Sequence, residues 1–340
     1  MPDPNQPINN STGQLTEVVK QLLAPGKGLL ALDWSTKTIT QKFLDVGLTS
    51  TPELNRVYRQ MLLTTPELSN CISGVIFHDE TVKQKLDDGT SFPEYLNQKG
   101  IIPGIKVDLG AEKFVSSDEE VTLGLEGLTE RLKEYSSLGL KFTKWRAVFK
   151  ISDTYPTKDF LEENLNRLVE YVKLSIQNDM VPVMEPEVSM KGLHTTTRCA
   201  EITFDVLSLL FQKLKNSNID LTQTILKTNM ILPGQDNGIK TAPLEIAEAT
   251  LRVLRKAVPA ELPGIVFLSG GQSPEEAIMN LNEIIKRKAD APWQLSFSYA
   301  RALQSEALST WDGKEENIKP AQEVFAKRLE MVSKARNGQL

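Results

Sequence analysis

Histidine and cysteine are almost missing from this sequence, with two of each in 340 residues. Cys71 and Cys199 cannot build a disulfide framework; each stands beside apolar residues as a small buried thiol would, which fits a reducing compartment. His78 and His194 lack HxxxH or HxH spacing to a partner, so no metal centre built on histidine is expected, and only a carboxylate-bound magnesium ion is left open. Aromatic residues make up 6% of the chain and the net charge is only −5. No window is basic and aromatic enough to follow a phosphate backbone, which argues against a nucleic-acid partner. No apolar run approaches the ~18 residues that span a bilayer, and the polar start MPDPNQPINNSTGQ has no signal-peptide core. A cytoplasmic protein without membrane association is expected, with residues 1–13 flexible.

What is present is the composition of an ordinary globular chain, 40% hydrophobic and 24% charged, without repeats or low-complexity tracts. Length alone suggests two domains, yet α/β barrels reach this size as one. Short apolar runs rich in β-branched residues recur at Gly28–Asp33, Ser73–Phe77, Gly104–Asp108, Phe142–Ile151, Val181–Glu187, Thr224–Met230, Gly264–Ser269 and Gln294–Ser298. Between them lie segments of helical period, such as the stripe Leu161, Leu165, Leu168, Val169 and Val172. Ser273, Pro274 and Glu276 form an N-cap, a first-turn proline and a capping box, and Thr51–Pro52 opens another helix. Eight strand–helix alternations without a linker, and a first turn (LDWSTKT) without glycine, favour a closed (β/α)8 barrel over a doubly wound sheet. We expect an α/β fold of one domain over residues 1–340, with an extra helix at Gln14–Leu23 and a closing helix at about 315–334.

The chemistry lies in strands that carry charge. KWRAVFKI holds Lys144 and Arg146, VPVMEPEV holds Glu185 and Glu187, and TILKTNM holds Lys227, all among apolar neighbours. Residues two apart share a face, and in a barrel that face is the interior or its C-terminal mouth. Desolvated charges persist when paired, so the lysines and glutamates predict a mutually compensated cluster. Structural ion pairing is the plain alternative, and the number of charges weighs against it. A lysine attacks a carbonyl only as the free amine, a form that burial beside another cation favours; Lys227 near Lys144 supplies that arrangement. Glu185 and Asp33 then offer proton transfer, although Asp33 reads equally well as a helix N-cap. Ser269, Gly270 and Gly271 after strand seven, with Arg301 after strand eight, match the position where barrels bind phosphate. Lys106, Ser35 and Thr38 could hold a second phosphate across the mouth, unless Lys106 only snorkels to solvent. His78, in FHDE, reads as a structural or supporting residue.

These segments resemble the class I fructose-1,6-bisphosphate aldolases of the animal and plant type. The resemblance runs from about Gly26 to Lys327 through GKGLLALD, NRVYRQMLLT, GVIFHDET, GIKVDLG, FTKWRAVFKI, VPVMEPEV, ILKTNM, GIVFLSGGQS and FSYARALQ. It implies a Schiff base on Lys227, with Glu185 as its general acid and base. Lys144 and Glu187 set the electrostatics, and Asp33 deprotonates the C4 hydroxyl. Ser269, Gly270 and Arg301 correspond to the C1-phosphate site, and Ser35, Thr38 and Lys106 to the C6-phosphate side, with Arg146 counted among the substrate-binding residues. The implied products are dihydroxyacetone phosphate and glyceraldehyde 3-phosphate, and the implied protein is a homotetramer that needs no metal or other cofactor. The chain departs from the pattern at Trp34, where the family usually has glutamate. Lys37, Thr38 and Lys42 stand for its Gly, Ser and Arg, and Ala300 for a glycine. No tyrosine follows Tyr299, so the tyrosine-ended tail of animal members is expected to be absent. Two other readings stay open: a Schiff-base aldolase for another phosphorylated ketose, and a non-catalytic sugar-phosphate-binding barrel.

Overall fold

The computed structural model describes residues 10–115 and 117–340. At its centre eight parallel strands close into a barrel: β1 (Gly28–Leu32), β2 (Ile72–Phe77), β3 (Ile102–Lys106) and β4 (Phe142–Phe149). β5 (Val181–Val188), β6 (Ile225–Thr228), β7 (Gly264–Phe267) and β8 (Gln294–Tyr299) complete it, and β8 pairs with β1. Helices connect the strands on the outside, and the (β/α)8 architecture is the one the sequence predicts.

Several boundaries differ from expectation. β3 begins and ends two residues earlier, because Pro103 reads as a turn residue yet still contributes its carbonyl, accepting from Lys141 N at 2.9 Å. β4 stops at Phe149 rather than Ile151. The first helix spans Asn10–Leu22, so residues 10–13 are helical; the rest of the stretch expected to be flexible, 1–9, lies outside the described residues. At the other end Glu315–Asn317 form a 3-10 turn, and the α-helix runs Ile318–Arg336. Pro320 sits in its first turn, where a missing N–H breaks no helical bond. A hairpin of Ala111–Lys113 with Glu120–Thr122 was not anticipated, since three-residue polar strands carry no periodic signal.

Two apolar cores set the site. The larger lies between strands and helices; the smaller fills the barrel with Leu29, Ala31, Ile76, Phe142, Val181, Val183, Ile225 and Val266. Leu15, Val19, Leu22 and Leu23 of the amino-terminal segment join this inner core and plug the barrel's N-terminal end. Phe142 dominates the floor: a Cβ at Gly104 would lie 2.4 Å from its Cε1, so only glycine fits opposite it. On four strands the inner face reads apolar at the floor and charged toward the mouth. Leu29 and Ala31 precede Asp33; Phe142 precedes Lys144; Val181 and Val183 precede Glu185; Ile225 precedes Lys227.

Candidate active site

At the level where the inner faces turn polar, four side chains from four strands form one ionic chain. Lys144 Nζ lies 2.7 Å from Asp33 Oδ2 and 2.9 Å from Glu185 Oε2. The other oxygen of Glu185, Oε1, lies 3.0 Å from Lys227 Nζ. Glu185 thus faces two lysine nitrogens at once, and all four side chains are at least nine-tenths buried. Buried charges of this kind persist through mutual pairing. Asp33 is not the helix cap: Ser35 fills that place for the helix Thr36–Leu44, accepting from Thr38 N at 3.3 Å.

The electrostatics follow from this packing. Burial pushes the Asp33 carboxyl up, but Lys144, Lys227 and Lys106 outweigh it and hold it down at about 2. Burial likewise works against the charge on Glu185, and Lys144, Lys227 and Arg146 bring its carboxyl below the usual range. For Lys144 burial opposes the charge and Asp33 and Glu185 restore it, so its ammonium is held more firmly than an ordinary lysine's. Asp33 is therefore a carboxylate at neutral pH, able to accept a proton, and Glu185 is within proton-transfer reach of the Lys227 nitrogen.

Glu187 does not join this chain. It receives a bidentate pair from Arg146, with Nε at 2.6 Å from Oε2 and Nη2 at 2.8 Å from Oε1, at the more open edge of the mouth. Beyond it lies the turn after β7. A Cβ on Gly271, which has φ +78°, would come within 2.6 Å of Met190 Cβ, so the turn depends on glycine. Gly270 and Gly271 make no backbone N–H bond among the described residues, which leaves both donors free for an anion. Arg301, exposed at the start of the helix Arg301–Trp311, reaches the same turn through Nη2 to Gln272 O at 3.3 Å.

The other side of the mouth is less unified. The hydroxyls of Ser35 and Thr38 are 3.0 Å apart, while Lys106 Nζ is held by Asp108, 2.6 Å from Oδ1 and 2.7 Å from the carbonyl. Lys106 is mostly covered rather than free in solvent.

The whole of this architecture has a counterpart among known proteins. Residues 14–340 match the family model described as fructose-bisphosphate aldolase class-I. The chain belongs to that family. It is 44% identical over 315 residues to cytosolic fructose-bisphosphate aldolase 6 of Arabidopsis thaliana, covering 92% of this chain and 88% of the relative. Fructose-bisphosphate aldolase C of Rattus norvegicus is 43% identical over 327 residues, with 96% and 90% covered. A solved structure of fructose-bisphosphate aldolase from Plasmodium falciparum, in complex with TRAP and a small-molecule inhibitor, superposes with a TM-score of 0.95. It is 41% identical and covers 100% of this chain and 98% of that one. This chain is accordingly a class I aldolase of glycolysis, and its reaction is the reversible cleavage of fructose 1,6-bisphosphate.

Sequence reasoning missed several members of this aldolase's mouth. Asp108 is buried and ties two strands, accepting from Lys106 Nζ and, at 3.2 Å, from Arg146 N. Its place two residues after Lys106 on the same alternation was the available signal. Glu80 links the first turn to the helix Pro52–Leu63, accepting from Thr36 Oγ1 at 2.7 Å and pairing with Arg59 Nη1 at 3.1 Å. That contact crosses segments far apart in sequence, and no local pattern announces it. Cys71, expected to be buried, is only partly so, whereas Cys199 is buried.

Proposed function

We propose that Lys227 of this aldolase carries the substrate as a Schiff base and that its neighbours divide the proton transfers. The observation that carries the reading is the chain Asp33–Lys144–Glu185–Lys227, which sets a buried amine nitrogen 3.0 Å from a carboxylate and three links from a second one. The Lys227 nitrogen attacks C2 of the open-chain ketose. Glu185 takes a proton from the Lys227 nitrogen and hands it to the resulting carbinol oxygen, which leaves as water while the carboxylate is restored. Asp33 then takes the proton of the C4 hydroxyl. The C3–C4 bond breaks, its electron pair moves into the iminium to give an enamine, and glyceraldehyde 3-phosphate departs. Protonation of the enamine at carbon and hydrolysis, again through Glu185, release dihydroxyacetone phosphate.

Lys144 keeps both carboxylates ionised and in place, and the Arg146–Glu187 pair shapes the field at the open edge, with Arg146 facing the substrate. Ser269, Gly270 and Arg301 bind the C1 phosphate, a role that the free glycine amides and the Arg301 contact to the same turn support. Ser35, Thr38 and Lys106 serve the C6 phosphate. No step in this scheme needs a metal ion. We read residues 1–340 as one barrel domain, working as a homotetramer in the cytoplasm on small sugar phosphates; the cytosolic relative of similar length supports the location. Among the described residues no helix is long and apolar enough to cross a membrane.

The reading is tested by Lys227→Ala. Cleavage of fructose 1,6-bisphosphate and solvent proton exchange of dihydroxyacetone phosphate should both be lost while circular dichroism stays unchanged. A variant that retains either reaction would remove Lys227 from the mechanism.

A further inference from the structure

The arc of inward-facing side chains at the mouth contains one residue that the scheme above leaves idle. In the barrel β2 lies between β1 and β3, and the register sets Leu32 beside Phe77 and Phe77 beside Ile105. One step further along each strand stand Asp33, His78 and Lys106. His78 keeps an extended backbone, φ −100° and ψ 158°, so the alternation of β2 continues through it. Two and four residues earlier, Ile76 belongs to the inner core and a Cβ on Gly74 would touch Leu22 at 2.6 Å. His78 therefore faces the interior, as they do.

Its surroundings fit a ligand contact better than a packing role. The ring is partly covered, and its Nδ1 is buried without a hydrogen-bond partner. That leaves Nε2 as the ring nitrogen that a ligand at the mouth can reach. Burial, then Lys106 and Arg59, favour the uncharged ring against the opposing pull of Asp33 and Glu80. Asp79, the next residue, is turned away to accept from Tyr135 Oη at 3.0 Å. A neutral imidazole offers one donor and one acceptor, which suits a hydroxyl.

The substrate places a hydroxyl at the matching point. Asp33 takes the C4 hydroxyl and Lys106 serves the C6 phosphate, so a side chain between them meets carbon five. We propose that His78 binds the C5 hydroxyl of the bisphosphate and is a specificity-determining residue for the aldehyde half. The proposal rests on the assignment of Asp33 and Lys106 given above.

The test runs the reaction toward condensation, pairing dihydroxyacetone phosphate with glyceraldehyde 3-phosphate or with 3-oxopropyl phosphate, whose missing 2-hydroxyl becomes the missing C5 hydroxyl. The wild-type protein should prefer the hydroxylated aldehyde by about tenfold in kcat/KM, the scale of one hydrogen bond. His78→Phe should abolish that preference, and His78→Gln, which keeps a donor and an acceptor, should restore most of it. An unchanged ratio in His78→Phe overturns the proposal. Borohydride trapping of dihydroxyacetone phosphate on Lys227 in the same variants tests the underlying mechanism separately, since that half-reaction does not use the aldehyde side. A readout on the unaltered protein avoids any folding defect. With only two histidines in the chain, the 15N resonances of the His78 ring are readily assigned. A saturating hexitol bisphosphate should shift them and dihydroxyacetone phosphate should not; no shift with the bisphosphate overturns the proposal.

Discussion

Glu185 serves two lysines with one carboxylate, and this sharing decides what substitutions at the mouth will do. Glu185→Gln would leave Lys144 and Lys227 without their common counter-charge, and loss of a positioned general acid costs ~10²-fold or more. We expect that loss in single-turnover Schiff-base formation, followed by stopped flow with dihydroxyacetone phosphate. The proposed scheme uses Asp33 only in cleavage, so its substitution should behave differently. Asp33→Asn should abolish turnover of fructose 1,6-bisphosphate yet leave borohydride trapping of dihydroxyacetone phosphate intact. Its pKa also makes a stability statement. The folded value of about 2 lies below the ordinary aspartate value of 3.8, so Asp33 stabilises the fold at pH above ~4, and that contribution is lost as pH falls toward 2. In denaturant titrations Asp33→Asn should flatten the acid limb of stability by about 2 kcal/mol in that window. At the phosphate sites, Arg301→Ala should raise KM for fructose 1,6-bisphosphate and fructose 1-phosphate alike. Lys106→Ala should raise it only for the bisphosphate, and equal effects on both substrates would take Lys106 away from the C6 end.

At the scale of elements, the barrel was legible because strands and helices wrote different periods into the sequence, and because caps marked the joins. Ser273 and Glu276 form the full capping box expected of them, with Glu276 N to Ser273 Oγ at 3.1 Å and Ser273 N to Glu276 Oε2 at 2.8 Å. The charged strand positions were legible for a related reason: Lys144, Glu185 and Lys227 are charges in otherwise apolar runs, and only a polar end of the interior can accept them. What stayed hidden is pairing across the barrel. Glu187 pairs with Arg146, and Lys106 with Asp108, and no local pattern announced either pairing. Partner choice depends on strand stagger, which side-chain periodicity does not encode. The floor makes a further element-scale prediction. Gly104→Ala would press a methyl into Phe142, two residues below Lys106, and overpacking of this kind costs about 1–3 kcal/mol. The midpoint of urea unfolding should fall accordingly, and an unchanged midpoint would show that Phe142 can move aside.

For the whole molecule, the apolar floor and polar mouth belong to one design: the amino-terminal helix and Phe142 close one end, so the charges can meet substrate only at the other. Assembly adds a solution-scale expectation, a sedimenting species of four times 37.9 kDa. Saturating EDTA should leave turnover unchanged, and loss of activity restored by zinc would replace the Schiff-base account with a metal one. The central claim is the covalent link on Lys227, and it is tested most directly by borohydride reduction in the presence of fructose 1,6-bisphosphate, followed by peptide mass mapping. The account predicts a reduced adduct on the peptide carrying Lys227 and nowhere else. An adduct on Lys144 or Lys106, or none at all, would contradict it.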